Sequence, residues 1–324
     1  MGEKKENMVG SDLKKAQQLL KDGKLVSIPT ETVYGLAANA LDKNAVASIF
    51  EVKQRPSFDP LIVHIGKIDD LNKYAVKVPE LALKLAKEFW PGPLTLILEK
   101  SSNIPFLVTS GNETVGLRMP KHPLALELLR MLDFPLAAPS ANPFGYVSPT
   151  TAQHVEEQLG DKIDYVLDGG NCEVGLESTI VKCTKDRVEI LRLGGLTVEQ
   201  IEACIGRKVD DIKLSSSNPQ APGMLSSHYS PSKKLIYGNV NHHLEDLDPD
   251  RVGFLWFDMS KGELSQDKQR ILSKNSNLAE AASNLFRYLR ELDALDIDVI
   301  LAEALPDEGL GRAINDRLMR ASEK

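Results

Sequence analysis

Apolar positions recur along the chain with two periods, one helical and one extended. Over residues 12–22, Leu13, Ala16, Leu19 and Leu20 share a helical face, with Ser11 as the expected N-cap and Gly23 as the stop. LVSIP (25–29) then reads as a strand and TETVYG (30–35) as the polar turn that follows it. A second helix is predicted over residues 44–54, where Ala45, Ile49 and Val52 align. It runs into Pro56, which has no backbone N–H and disfavours helical backbone at Arg55. The helix must therefore end near Gln54, with Lys53 on its last turn and Arg55 at its exit. Residues 61–65 form a short apolar run in which only His64 is polar, the pattern of a buried strand. The period then predicts a helix over 79–90, stopped by Pro91-Gly92-Pro93, and strands in LTLIL, VGLRMP and PLAAP, with a helix over 124–132 between the last two. A polar loop, SANPFGYVSPTT, leads into a helix over 151–159. YVLD, STIVKC and VEILRL read as strands, and 198–204 as a helix.

Residues 208–231 break the pattern, with few apolar positions and many Ser, Pro and Gly, as in a linker. Beyond it the order is strand (LIYG), strand (VGFLWF), long helix, strand (DVILAEAL), helix. The stripe Leu278, Ala282, Leu285, Leu289, Leu292 on the long helix is a core face. This alternation predicts an α/β fold with a twisted, partly mixed sheet, followed by a smaller α/β domain. At 324 residues and 42% hydrophobic composition, two domains are expected. The boundaries fall at 1–207 for the first domain, 208–232 for the linker and 233–324 for the second.

Charge and cysteines narrow the classes. A formal net charge of −7 opposes a broad cationic surface for nucleic acid, so a polyanion must bind at a local cluster. The charged start MGEKKENMVG has no apolar core, and no run approaches the roughly 18 apolar residues of a membrane span, so neither export nor a membrane is expected. Three cysteines, Cys172, Cys183 and Cys204, without a CxxC spacing argue for a reducing, cytoplasmic setting and against a zinc site.

Neither GxxxxGK[ST] nor GxGxxG after a strand occurs, so a nucleotide would have to be held by side-chain cations. Lys53, Arg55, Arg118 and Arg192 are the candidates, the last two inside otherwise apolar strands where a guanidinium must find an anion or point outward. At 4 Å and an effective dielectric of 20, each unit-charge pair contributes about 4 kcal/mol before desolvation. Hydroxyls and amides gather in Pro-punctuated loops: Thr30, Thr32, Ser140, Asn142, Ser148, Ser178 and Thr179. Turn and cap chemistry accounts for any one of them alone. Glu31 and Glu177 form a possible acid–base pair of unknown separation. A Ser/His hydrolase built on Ser140 or Ser178 with His228 lacks a GxSxG elbow. PGMLSSHYSP, at the end of the linker, carries Met, His and Tyr that a plain tether does not need, and so reads as packed down or as a lid.

Taken in order, PTETVYGL, KQRP, LIVHI, WPGPLT, VGLRMP, PSANPFG, ESTIV, LRLGG and PGMLSSHYSP resemble the pattern of the threonylcarbamoyl-AMP synthase family in its two-domain form, over residues 15–231. The resemblance implies a YrdC-like catalytic domain, the linker, and a Rossmann-like C-terminal domain. It implies a nucleotidyltransferase that condenses L-threonine, bicarbonate or CO2, and ATP into threonylcarbamoyl-AMP and pyrophosphate, for tRNA modification by a downstream threonylcarbamoyl transferase complex. By that resemblance Thr32, His64, Arg118, Ala138 (through its backbone) and Ser178 bind threonine. Arg55, Asp59, Thr114, Ser140, Asn142, Ser148, Arg192, His228 and Tyr229 bind ATP, with Lys53 and Arg55 as the catalytic cations. Mg2+ accompanies ATP without a dedicated protein metal site. Asp59 departs from the family pattern, which has Asn there; a carboxylate beside a phosphate repels it.

The chemistry agrees with such a site. A neutral amine attacks CO2, and the carbamate oxygen then attacks the α-phosphorus. This calls for orientation and charge neutralisation without an enzyme nucleophile. His64 or a water is the candidate base. An RNA-binding accessory module and a carbamoyl-transfer domain of the same fold are the alternatives.

Overall fold

A computed structural model describes residues 8–215, 220–224, 228–238, 240, 247–259 and 265–323. The first part of the chain runs β1 (Val9–Gly10), α1 (Leu13–Lys21), β2 (Val26–Ile28), β3 (Gly35–Asn39), α2 (Lys43–Lys53), β4 (Ile62–His64), α3 (Leu71–Tyr74), α4 (Glu80–Phe89) and β5 (Leu94–Glu99). It continues through β6 (Thr114–Arg118), α5 (Pro123–Met131), β7 (Leu136–Ala137), α6 (Ala152–Leu159), β8 (Tyr165–Leu167), β9 (Thr179–Cys183), β10 (Val188–Arg192), α7 (Val198–Ile205) and β11 (Asp211–Ile212). These strands make one mixed sheet in the order β1-β8-β2-β3-β7-β4-β6-β5-β9-β10-β11. The remainder, β12 (Lys234–Gly238), β13 (Val252–Trp256), β14 (Gln269–Ile271), α8 (Leu278–Asp293), β15 (Val299–Glu303) and α9 (Gly309–Ser322), builds a second, parallel sheet in the order β12-β15-β13-β14.

The expected α/β architecture is present, with three local corrections. Asp12, not Ser11, caps α1: its Oδ1 accepts from the N–H groups of Lys14 at 2.9 Å and Lys15 at 3.0 Å. The turn after β2 is followed at once by β3, a strand of Gly and Ala whose burial hides any alternation. The segment expected to be a linker begins inside the larger sheet, because Asp211 and Ile212 pair with Glu189 and Ile190 of β10. Of the rest of that linker, residues 216–219 and 225–227 lie outside the described residues.

Register positions the site. His64 pairs with Arg118, Arg118 with Thr95, Thr95 with Ile180, and Ile180 with Arg192. Residues up to 128 positions apart in sequence thus form one row across five strands, their side chains on one face. The ladder shifts between Ile190 and Arg192, an irregularity of the kind that re-aims a side chain. One row further along, Ile62 pairs with Gly116 and Gly116 with Ile97. Here the face is an apolar floor of Ile62, Ile97, Ile180 and Leu191, on which Ala221 and Met224 of the segment after β11 are packed.

Candidate active site

α2 ends as its proline requires. Gln54 turns left-handed at φ 53° and the Arg55 N–H closes on Phe50 O at 2.9 Å. That turn sends Lys53 inward, where only 1% of the residue is exposed. Its Nζ donates to Ser140 O at 2.6 Å and to Asn142 O. Lys53 therefore pins the turn that carries Ser140 and Asn142 and does not line the cavity below. Burial, then the neighbouring Arg55 charge, holds its pKa well below the ordinary lysine value.

Arg55 points to the other side of the turn. Its Nε donates to Asp59 O at 3.0 Å and its NH2 to Pro60 O at 2.8 Å, with Asp59 Oδ2 also 2.9 Å from NH2. Asp59, which the sequence left as a repulsive group beside phosphate, is the buried counter-charge of Arg55. Burial pushes its pKa up, and the guanidinium opposes that.

Arg118 donates through NH2 to Glu31 Oε1 at 2.7 Å and Thr32 Oγ1 at 2.9 Å; its buried Nε makes no protein hydrogen bond. Arg192 donates from Nε to Ser178 O at 3.0 Å, from NH2 to Ser178 Oγ at 3.1 Å and from NH1 to Pro222 O at 3.3 Å. Ser178 Oγ also bonds Thr95 Oγ1 at 2.7 Å, and Ser148 donates to Glu177 Oε1 at 2.6 Å. Glu31 and Glu177, weighed as a pair, serve separate guanidiniums: Glu177 accepts from Arg317 Nε at 2.9 Å. Sequence reading missed Arg317, Thr95 and the apolar wall residues Val33 and Ile62.

Residues 220–224 and 228–231 close over this array. Gly223 sits at φ +82°, and a Cβ there would stand 2.7 Å from Tyr229 OH, so glycine is required on both counts. Tyr229 itself holds φ 66°, a conformation that costs on the order of 1–2 kcal/mol in an ordinary side chain. It is kept there by packing: its ring lies 4.1 Å from the His228 ring and 5.9 Å from the Phe286 ring, with the Arg317 guanidinium 4.8 Å from its centroid. The result is a cavity of about 50 Å³ lined by Arg55, His64, Arg118, Ala138, Ser140, Glu177, Arg192, His228 and Tyr229, among others. Thr32, Asp59, Asn142, Ser148 and Ser178 lie outside this lining; Thr32, Asp59 and Ser178 bond lining arginines and Ser148 bonds Glu177, while Asn142 caps its own turn through Pro143 O and Tyr146 O. Thr114 is not brought here. It stands opposite Glu99, four residues and so about 13 Å along β6 from Arg118, and lines a separate cleft with Lys77 and Lys182.

His64 Nδ1, Arg118 Nε, His228 Nδ1 and Tyr229 OH are buried without protein partners, and all four belong to residues lining the cavity. Buried polar groups are seldom left so, and a cluster of them marks a place for a polar ligand. Burial, then the Arg118 charge, pushes the His64 pKa down to about 3, against the pull of the Ile62 and Leu136 backbone groups. The folded state thus excludes a proton that the unfolded chain binds below about 6.5. Stability contributed by neutral His64 is present above that pH and is lost as pH falls toward 3, by about 1.4 kcal/mol per unit. His64→Gln is expected to flatten the fall in melting temperature between pH 6.5 and 4. Parallel curves for the two proteins would show that His64 is not the group that resists protonation.

Comparison with known proteins places the fold and the family. Residues 18–194 match the family model Sua5_yciO_yrdC, described as "Telomere recombination", which sets the class of the larger sheet. Residues 196–323 match Sua5_C, described as "Threonylcarbamoyl-AMP synthase, C-terminal domain". The threonylcarbamoyl-AMP synthase of Pyrococcus abyssi is 43% identical over 95% of this chain and 93% of its own, and that of Bacillus subtilis is 44% identical over 95% and 92%. A crystal structure of P. abyssi Sua5 complexed with L-threonine superposes with TM-score 0.88 at 43% identity, covering 96% of this chain and 94% of that one. The chain belongs to the threonylcarbamoyl-AMP synthase family, a family of enzymes.

Proposed function

We propose that this chain condenses L-threonine, bicarbonate or CO2, and ATP into L-threonylcarbamoyl-AMP with release of pyrophosphate, the first step toward threonylcarbamoyladenosine in tRNA. One observation carries the reading: Arg55, Arg118 and Arg192, from distant parts of the sequence, converge on a single cavity rimmed by unpartnered polar atoms. The L-threonine complex of the P. abyssi relative supports it.

In this reading the threonine carboxylate meets Arg118 Nε, with His64, Thr32, the Ala138 backbone and Ser178 around the amino acid. Arg55, Ser140, Asn142, Ser148, Arg192, His228 and Tyr229 hold ATP, with Asp59 setting the charge of Arg55. Lys53 acts through the 140–142 turn it pins, and Arg55 neutralises charge on the phosphates. The amine loses a proton and forms its N–C bond to CO2. A carbamate oxygen then bonds the α-phosphorus as the bond to pyrophosphate breaks. A pKa of about 3 makes His64 a weak acceptor for that proton, which is released to the bulk buffer as threonine loads.

A volume of about 50 Å³ falls far short of the roughly 300–1,000 Å³ of ordinary ligand pockets, so ATP enters only when residues 220–224, with Ala221 and Met224, move off the apolar floor. Once closed, the same segment keeps water from a carbamate that decarboxylates readily. Among the described residues no group of three or more His, Cys, Asp or Glu is placed to hold a metal ion, and we assign Mg2+ to the triphosphate as part of the substrate. We divide the chain into a catalytic unit (1–207), a cover (208–232) and a bracing unit (233–324). Three free cysteines support a cytoplasmic setting, and among the described residues no helix is long and apolar enough to cross a membrane. The product passes to a threonylcarbamoyl transferase complex.

The test is pyrophosphate release by the purified chain with ATP and bicarbonate. Release that requires threonine and falls at least tenfold with serine is expected; equal release with serine or with no amino acid defeats the assignment.

A further inference from the structure

The two helices of the smaller sheet reach the cover and the nucleotide loop of the larger one. From α8, Asp293 accepts from Tyr146 OH at 2.6 Å and from Ser232 N and Lys233 N at 3.0 and 2.8 Å, tying the end of the cover to the 143–148 loop. From α9, Arg320 O accepts the His228 N–H at 3.3 Å. Arg317 goes deeper. Its side chain is 0% exposed, and it donates to Glu177 at 2.9 Å, Asp316 Oδ2 at 2.6 Å and Leu193 O at 2.7 Å while its face covers the Tyr229 ring.

Glu177 is the only acid that lines the cavity among the residues described, and it lies within the field of both Arg192 and Arg317. Without a second cation, its charge would act on Arg192 alone and draw that guanidinium away from an anionic substrate. We propose that Arg317 is a positioning residue: by neutralising Glu177 and backing Tyr229 it leaves Arg192 free to hold the ATP phosphates. The smaller unit is thereby part of the active site's charge balance. This rests on the synthase reading above. Burial alone would raise the pKa of Glu177; Arg317, then Arg192 and the Ser148 hydroxyl, outweigh it and keep the carboxylate ionised. The charge on threonine's carboxylate is met by Arg118 with its own counter-charge Glu31, so its binding depends on Arg317 only through Ser178, a neutral contact that Arg192 holds.

The test is a double-mutant cycle on the full chain with Arg317→Met and Glu177→Gln, read as KM for ATP and for threonine. Arg317→Met is expected to raise KM for ATP at least tenfold and to leave KM for threonine within twofold. In the Glu177→Gln background, where the cavity holds no carboxylate and Asp316 keeps Arg320 as its partner, the same substitution should change KM for ATP less than threefold. A merely structural role would lower kcat through the folded fraction and move neither KM. An unchanged KM for ATP, equal shifts in both KM values, or additive effects of the two substitutions would overturn the proposal. Should Arg317→Met fail to fold, Glu177→Gln/Arg317→Met, which leaves no unpaired carboxylate, is compared with Glu177→Gln alone. Equal KM for ATP supports the proposal and a further tenfold rise overturns it. Loss of threonine-dependent turnover in the unmodified chain would instead count against the synthase reading itself.

Discussion

Arg118→Met is expected to abolish threonine binding and to destabilise the fold, and the two effects separate on a second substitution. Arg118 and Glu31 are a buried pair, with side chains 5% and 3% exposed. Removing one member strands the other's charge in the interior, at a cost of about 3–5 kcal/mol. Glu31→Gln, added to Arg118→Met, removes that stranded charge and should recover most of the lost denaturation midpoint. It cannot restore a cation for the threonine carboxylate, so calorimetric binding of threonine stays absent and turnover stays at least a thousandfold down. If the double variant regains turnover together with stability, Arg118 is a structural ion pair and not a substrate ligand.

Arg55→Gln should produce the complementary loss. A preorganised donor aimed at developing charge is typically worth about 10²–10³ in rate, and Arg55 also carries a full charge, so kcat/KM for ATP should fall by about 10³ or more. Threonine binding, which depends on the far side of the cavity, should survive within threefold by calorimetry. Asp59 would be left with both carboxylate oxygens buried, so stability should fall as well, and Asp59→Asn should return it without returning turnover. Loss of threonine affinity equal to the loss of ATP affinity would mean that Arg55 shapes the whole site and does not serve one substrate.

The parallel between these pairs explains what was legible in the sequence. An arginine inside VGLRMP or ILRLGG is an anomaly in an apolar strand, and Lys53 and Arg55 stand at a break that Pro56 forces, so the cations announced themselves. Their counter-charges did not. Glu31, Asp59 and Glu177 are ordinary loop acids until register brings Arg118 beside one and the turn after α2 folds Arg55 back on another. Arg317 was further out of reach, because GRAINDRLMR has charges at the density of a solvated helix and only its 1% exposure reveals the role. Strong periodicity gave α1, α2, α4, α5, α6 and α7 to within a residue or two, and α8 and α9 by their order in the chain. Strands of two or three residues such as β1, β11 and β14 carry too few positions for a period, and the Ala-rich β3 has none to offer.

The central claim is that one closed cavity joins three substrates. The direct measurement is to supply labelled bicarbonate, threonine and ATP together and to isolate the adenylate product. One carbonate carbon and one threonine per AMP, with one pyrophosphate released, is the predicted composition; pyrophosphate without carbonate label in the adenylate would contradict it.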